Sequence, residues 1–230
     1  MLQLPTRYAG GPHDAYIDEC LNYMTPGATV LDVGAGRRPV IPFEQIRDTY
    51  YVALDVDAEE LEAAPEGLYK ESVASPIETY QPQLAGRFDL VASFYVFEHV
   101  RSLETAIENC RLYLKPGGTM VTQFSGRFSY FAVANQVVPH ALTRRLGRVL
   151  AGREPHTIFP AFYNNCWYGA VEKLMRNWSE VEIRPVYTGA GYLLRKPFDL
   201  AMPAYLAYED WAERGSHRNL AAHYIVVAKK

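Results

Sequence analysis

Two short stretches of this chain carry the residue types of nucleotide chemistry. The first, Val30-Leu31-Asp32-Val33-Gly34-Ala35-Gly36, is an apolar run that ends in Gly-x-Gly. About twenty residues on, Tyr51-Val52-Ala53-Leu54-Asp55 is a second apolar run that ends in a carboxylate. Glycine has no Cβ and tolerates unusual dihedrals, so a turn of this kind lets backbone come close to a ligand. An acidic residue closing the next strand can accept both hydroxyls of a ribose. The continuation Arg37-Arg38-Pro39 lacks the third glycine that a dinucleotide fold places where helix and pyrophosphate meet.

The elements that must position these residues alternate between strand and helix, as a parallel sheet with crossover helices requires. The apolar spacing predicts a helix over Asp14–Met24 stopped by Pro26-Gly27, a strand over Ala28–Val33, a strand over Tyr50–Leu54 and a short helix over Ala58–Ala63. A weaker strand is expected near Leu68–Val73 and a better defined one over Phe88–Ser93. Leu103–Leu114 has helical spacing and runs into Lys115-Pro116-Gly117-Gly118, a helix stop and turn before a strand over Thr119–Phe124. A helix over Trp167–Met175 is expected further on.

With 230 residues, 49% hydrophobic and 21% charged, the chain can bury one substantial core, and a single domain is expected. A net charge of −3 gives no overall attraction to nucleic acid. Cys20, Cys110 and Cys166 are widely spaced and fit no metal-ligand pattern, which favours reduced, structural thiols and a cytoplasmic protein. The N-terminal residues lack the apolar region of a signal peptide, and no uncharged run is long enough to span a bilayer.

Taken in order and spacing, Asp32-Val33-Gly34-Ala35-Gly36, Asp55, Phe88-Asp89-Leu90-Val91, Glu98-His99-Val100 and Leu114-Lys115-Pro116-Gly117-Gly118 resemble the class I S-adenosylmethionine-dependent methyltransferases. The likeness covers roughly residues 12–124 and is strongest with the small-molecule, type 11/12-like branch. It implies a Rossmann-like α/β fold: a seven-stranded sheet, mostly parallel with an antiparallel last strand, helices on both faces and helical lid insertions. His223–Ala228 would be that last strand and Val181–Tyr187 the one before it. The core would comprise about 12–124, 166–187 and 220–230, with substrate-covering insertions at about 125–165 and 188–219.

Transferred position by position, the resemblance puts Gly34 and Gly36 beneath the methionine part of S-adenosylmethionine, with Asp32 organising the backbone and amino group. Asp55 would take the ribose, Ser75 would line the adenine, and Ser93 and Phe94 would face the donor at the strand end. Arg37 is a candidate for the cofactor carboxylate, or a solvated loop residue. Transfer to a hydroxyl needs a base, and histidine suits that role. His99 and His156 are the candidates, with a structural or cofactor-edge role favoured for His99. His13 falls where a lid helix would begin, and His140, His217 and His223 read as surface or packing residues.

The insertions should set the acceptor. No Asp or Glu occurs between Asn109 and Arg153, while seven cations do; Leu142, Leu146, Val149 and Leu150 share one helical face with Arg144, Arg145 and Arg148 elsewhere. Such a helix is either a lid with a solvated face or a site where Arg144 and Arg145 bind a phosphate-bearing or carrier-linked acceptor or an anionic membrane surface. Tyr163, with Asn164 and Asn165, offers hydrogen bonds to an acceptor, or the Asn pair caps the next helix. Two other enzymes share parts of the pattern. A nicotinamide-dependent oxidoreductase would use Asp55, and Tyr192-Leu193-Leu194-Arg195-Lys196 mimics its catalytic pair, but Gly191 and Pro197 argue against a helix there. A nucleic-acid methyltransferase that methylates amino groups would carry Asn/Asp-Pro-Pro-aromatic where this chain has Ser93-Phe94-Tyr95-Val96.

Overall fold

The apolar runs become seven strands, β1 Thr29–Val33, β2 Tyr50–Asp55, β3 Glu71–Ala74, β4 Phe88–Phe94, β5 Leu114–Ser125, β6 Glu180–Val186 and β7 His223–Lys229. They form one sheet in the order β3-β2-β1-β4-β5-β7-β6. Strands β1 to β5 pair in parallel, and β7 lies antiparallel between β5 and β6. This computed structural model describes residues 4–10, 13–137, 160–190 and 198–230.

Parallel neighbours require crossovers, and helices supply them. The helices among the described residues are α1 Asp14–Leu21, α2 Phe43–Ile46, α3 Ala58–Glu62, α4 Leu103–Tyr113, α5 Tyr130–Val137, α6 Tyr168–Leu174 and α7 Met202–Arg214, of which α2, α3 and α4 lie between parallel strands. Alternate residues of the central strands point to opposite faces, and both faces are buried. On one, Leu31, Val33, Val91, Met120 and Phe124 pack with Leu103, Ala106, Ile107 and Cys110 of α4. On the other, Val30, Leu90, Ala92 and Val121 pack with Tyr16 and Cys20 of α1. Cys20, Cys110 and Cys166 are free thiols in the core. The order reverses between β1 and β4, so the crevice above their carboxyl ends is the switch point where such sheets bind ligands.

Several boundaries differ from the expected ones. α1 stops at Leu21, because Tyr23 and Met24 donate to the carbonyls of Cys20 and Leu21 in a tight turn and not in a further helical turn. β3 begins at Glu71, and Leu68 instead closes a buried cluster with Tyr51. Lys115-Pro116-Gly117-Gly118 is not a turn ahead of β5 but an irregular part of it: Leu114 pairs with Phe88, the register then shifts, and Thr119 pairs with Leu90. Gly117 has φ +79°, and a Cβ on Gly118 would lie 2.9 Å from the Phe88 carbonyl.

The two segments expected as insertions hold α5 and α7. α7 is pinned by Glu209, which accepts from Tyr8 Oη at 2.5 Å and from the Gly189 amide at 2.6 Å, and pairs with Arg7 at 3.3 Å. Among the described residues no helix is long and apolar enough to cross a membrane, and no His, Cys, Asp or Glu cluster could hold a metal ion.

Candidate cofactor cleft

β1 runs straight into the Gly-x-Gly turn, where Gly34 (φ +77°) and Gly36 (φ +54°) both adopt the left-handed backbone. The turn is tied to β2 by two bonds: the Gly34 amide donates to the Leu54 carbonyl at 2.7 Å, and the Gly36 amide to Asp55 Oδ2 at 2.8 Å. Asp55 Oδ1 accepts from the Asp57 amide at 2.9 Å. A carboxylate has about four lone-pair directions, so Asp55 keeps acceptor capacity beyond these two bonds. Burial raises its pKa, offset in part by the two amides. The β3 tip joins the cluster through the Ser75 amide, which donates to the Asp55 carbonyl at 2.7 Å. Ser75 is buried, and its hydroxyl accepts from Gln81 at 2.7 Å. The tips of β1, β2 and β3 therefore converge.

The two glycines are required for different reasons. A Cβ at Gly34 would sit 2.2 Å from Val96 Cγ2, so protein side chain, not open cleft, lies over that position. A Cβ at Gly36 would meet nothing nearer than Glu60 Oε2 at 3.9 Å and Asp55 Oδ2 at 4.0 Å, an open cradle rimmed by carboxylates. Tyr69 braces the turn from behind, its hydroxyl bonding the carbonyls of Ala35 and Gly36 at 3.1 and 3.0 Å.

Asp32 lies below the turn. It is buried, accepts from Tyr51 Oη at 2.9 Å, and burial pushes its pKa up to about 7, with the Tyr51 bond opposing and nearby Asp55 adding to the rise. Arg37 is not a bare loop cation: it forks onto Glu60 of α3, with Nε 2.7 Å from Oε2. A cofactor carboxylate would have to compete with Glu60 for it.

The β4 tip departs furthest from expectation. Ser93 is fully buried, and its Oγ has no hydrogen-bond partner among the described residues. Phe94 packs against His13 (4.7 Å between ring centroids), Tyr16 and Tyr95. Tyr95 turns the chain with φ +53°, and its hydroxyl accepts from Gln123 Nε2 at 3.0 Å. Non-glycine residues seldom adopt that conformation, and where they do the site is commonly functional. Glu98 is buried, which raises its pKa; Oε1 accepts from the Ser125 amide at 3.2 Å, and its carbonyl accepts from the Phe162 and Tyr163 amides. His99 Nδ1 donates to the Pro160 carbonyl at 3.0 Å. Glu98 and His99 thus join the β4 tip to the chain at 160–163.

Tyr163 is buried with φ +53°, and its hydroxyl accepts from Asn135 at 3.2 Å. The Asn pair is not a helix cap: Trp167 precedes α6, Asn164 donates to the Arg101 carbonyl, and Asn165 takes φ +59°. His156, Arg144, Arg145, the 142–150 helix, His140 and the Tyr192–Lys196 pair lie outside the described residues. His217 stacks on Trp211 at the surface. Cavities of about 40 Å³ between α2 and Leu68 and about 190 Å³ beside Trp167 and α6 lie away from the strand tips.

Local sequence pattern does not single out Tyr95 or Gln123, and it reads His223 only as a surface or packing residue. His223 opens β7 beside Ser125, the last residue of β5, and its ring meets Tyr95 at 5.3 Å and Phe131 at 5.4 Å. Nothing in the local pattern of β7 marks it; only the sheet order brings it to the β4 tip.

A Gly-x-Gly turn hydrogen-bonded to the carboxylate of the adjacent strand, at the switch point of a seven-stranded sheet, defines the class as a nucleotide-cofactor-binding α/β enzyme. A family model described as a methyltransferase domain matches residues 6–177, and the chain belongs to that family: it is a class I S-adenosylmethionine-dependent methyltransferase. The oxidoreductase alternative falls with that assignment. Solved structures share the fold at low identity. An S-adenosylmethionine-dependent methyltransferase from Archaeoglobus fulgidus is 16% identical with TM-score 0.55 over 98% of this chain and 97% of that one. One from Mesorhizobium loti is 15% identical with TM-score 0.56 over 96% and 100%. Haemonchus contortus phosphoethanolamine N-methyltransferase 2, in complex with S-adenosylmethionine, is 12% identical with TM-score 0.55 over 96% of this chain and 53% of that one, so this chain spans about half its length. Comparison with curated proteins finds no match.

Proposed function

We propose that this enzyme methylates a small-molecule or carrier-linked glycan or lipid acceptor, at oxygen, in the cytoplasm. The observation that carries the cofactor half of this reading is the bond between the Gly36 amide and Asp55, which fixes a carboxylate with spare acceptor capacity beside an open cradle. In the proposed assignment Asp55 takes the ribose hydroxyls, Gly34 and Gly36 pass beneath the methionine part, and Asp32 faces its amino group. Ser75 and the β3 tip edge the adenine, while Phe94 and Tyr95 border the reacting end and Ser93 supports that tip from the core.

When bound, the sulfonium supplies an already activated methyl group, so the protein's task is chiefly alignment. His99, through Pro160, ties the chain at 160–163 to the β4 tip, which fits a positioning role; His156 is retained as the base for a hydroxyl acceptor. Tyr163 supports the acceptor side from its buried position. The 142–150 segment, with Arg144 and Arg145, is proposed to meet an anionic group on the acceptor, its carrier or a membrane surface.

Calorimetry separates the readings. S-adenosylmethionine should give a saturable heat that NAD does not, and Asp55→Ala should weaken binding by about 1–3 kcal/mol, the loss expected for a hydrogen-bonded charged acceptor. Heat with NAD alone, or an unchanged isotherm in the Asp55→Ala protein, would overturn the assignment. Raising salt should weaken acceptor affinity in the parent more than in Arg144→Ala/Arg145→Ala if those arginines meet an anion.

A further inference from the structure

We propose that the cavity beside α6 is a second binding site, outside the cofactor cleft, for a planar aromatic carboxylate: one ring carrying one anionic group. The inference goes beyond the methyltransferase reading and does not depend on it. The cavity has a volume of about 190 Å³ and is lined by Asn165, Trp167, Ala170, Lys173 and Leu174. Counted from Trp167, which precedes α6, the helical residues fall at i+3, i+6 and i+7, a single face. Pockets for drug-sized ligands begin at about 300 Å³, so this one takes a single ring with a small substituent.

The lining selects the chemistry. Its apolar part is Ala170, Leu174 and the half-buried Trp167 ring, whose flat face suits a planar partner. Its polar groups are the Trp167 indole N–H, the Asn165 amide and the exposed Lys173 ammonium, none with a hydrogen-bond partner among the described residues. Indole N–H and ammonium can only donate, and no carboxylate lines the cavity, so the polar group they match is an anion. The site is also held in shape. Phe128 packs on Trp167 at 6.0 Å between ring centroids, and the Arg127 guanidinium lies 5.9 Å from the indole centroid. Arg127 ties the preceding turn at two points: its amide donates to the Cys166 carbonyl at 2.7 Å and Nη1 to the Tyr163 carbonyl at 3.1 Å. Inside that turn Asn165 holds φ +59°, its carbonyl accepting from the Trp167 amide at 2.9 Å. A preformed ring and turn spare a ligand the cost of ordering them.

Benzoate is the probe, with S-adenosylhomocysteine present to fill the cofactor cleft. In ¹⁵N-tryptophan-labelled protein the Trp167 indole signal is identified by Trp167→Phe or, by elimination, by Trp178→Phe and Trp211→Phe. Benzoate should move that signal saturably at about millimolar concentration. Benzamide, the ring without the charge, and acetate, the charge without the ring, should each bind about tenfold more weakly. Lys173→Met, which keeps the stem and removes the ammonium, should weaken benzoate about tenfold and leave benzamide within about twofold. S-adenosylhomocysteine affinity should be the same in parent and Lys173→Met proteins. An indole signal unmoved by benzoate, benzamide or acetate binding as tightly as benzoate, or unchanged benzoate affinity in Lys173→Met would overturn the proposal. The three-probe comparison needs only the parent protein, so it stands whatever a variant does to folding. Loss of S-adenosylhomocysteine binding in the parent would instead count against the cofactor assignment.

Discussion

Gly34 is confined to glycine by its own neighbours. Alanine there must accept a left-handed backbone at φ +77° and displace Val96 Cγ2 from 2.2 Å. The backbone penalty is about 1–2 kcal/mol and overpacking adds about 1–3 kcal/mol, so Gly34→Ala should lose about 2–5 kcal/mol in urea unfolding. Gly36→Ala, with nothing nearer than 3.9 Å, should lose only the backbone part, about 1–2 kcal/mol, while blocking the cradle. Asp32 presents the opposite trade. Its folded-state pKa of about 7 lies above the ordinary aspartate value of 3.8, so the neutral form is favoured in the fold and stability is lost as pH rises through about 7. Asn keeps an acceptor for Tyr51 without the buried charge. Asp32→Asn should therefore exceed the parent in stability by on the order of 3 kcal/mol at pH 8 and by less at pH 5, measured by chemical unfolding, while binding S-adenosylmethionine more weakly. The Gly34–Gly36 turn and Asp55 were legible from strand-turn-strand spacing, and Asp32 from the family resemblance. The fork of Arg37 onto Glu60 and the sealing of Ser93 were not, because each depends on which side of a turn or strand faces a neighbour that the local pattern does not name.

The elements that matter most beyond the sheet are the β4 tip and α7. Glu98 anchors the first: one carboxyl oxygen holds the end of β5 and its carbonyl holds the chain at 162–163. Glu209 anchors the second, drawing Arg7, Tyr8 and Gly189 onto one buried carboxylate. Removing one partner of such a buried set strands the others. Glu209→Ala should cost about 3–5 kcal/mol, and hydrogen exchange should show faster opening of both α7 and the amides at 189–190. Exchange that rises only in α7 would mean that Tyr8 and Gly189 find other partners. Sequence periodicity located most elements here, but it placed the start of β5 late, since Pro116-Gly117-Gly118 normally marks a turn and becomes strand only through pairing with β4.

At the scale of the whole molecule, the antiparallel insertion of β7 between β5 and β6 carries His223 to the rim formed by the parallel strands, where its ring packs on Tyr95 and Phe131. That burial has a cost at low pH. The folded-state pKa of His223, about 4, lies below the ordinary histidine value of 6.5, so its contribution is present above 6.5 and is lost as pH falls towards 4. The parent should lose up to about 3 kcal/mol more than His223→Phe between pH 7 and pH 4 in equilibrium unfolding, and equal losses would show that the imbalance does not exist. What the amino-acid order determined by itself was local: where apolar period and breakers make strands and helices, and that a Gly-x-Gly turn and a carboxylate end neighbouring strands. What only the folded chain decided was meeting across distance: Val96 over Gly34, Glu60 on Arg37, Pro160 on His99, His223 beside Tyr95. Local pattern is written in consecutive residues, whereas these encounters follow from sheet order and from which face each side chain takes, and those are set by the core as a whole.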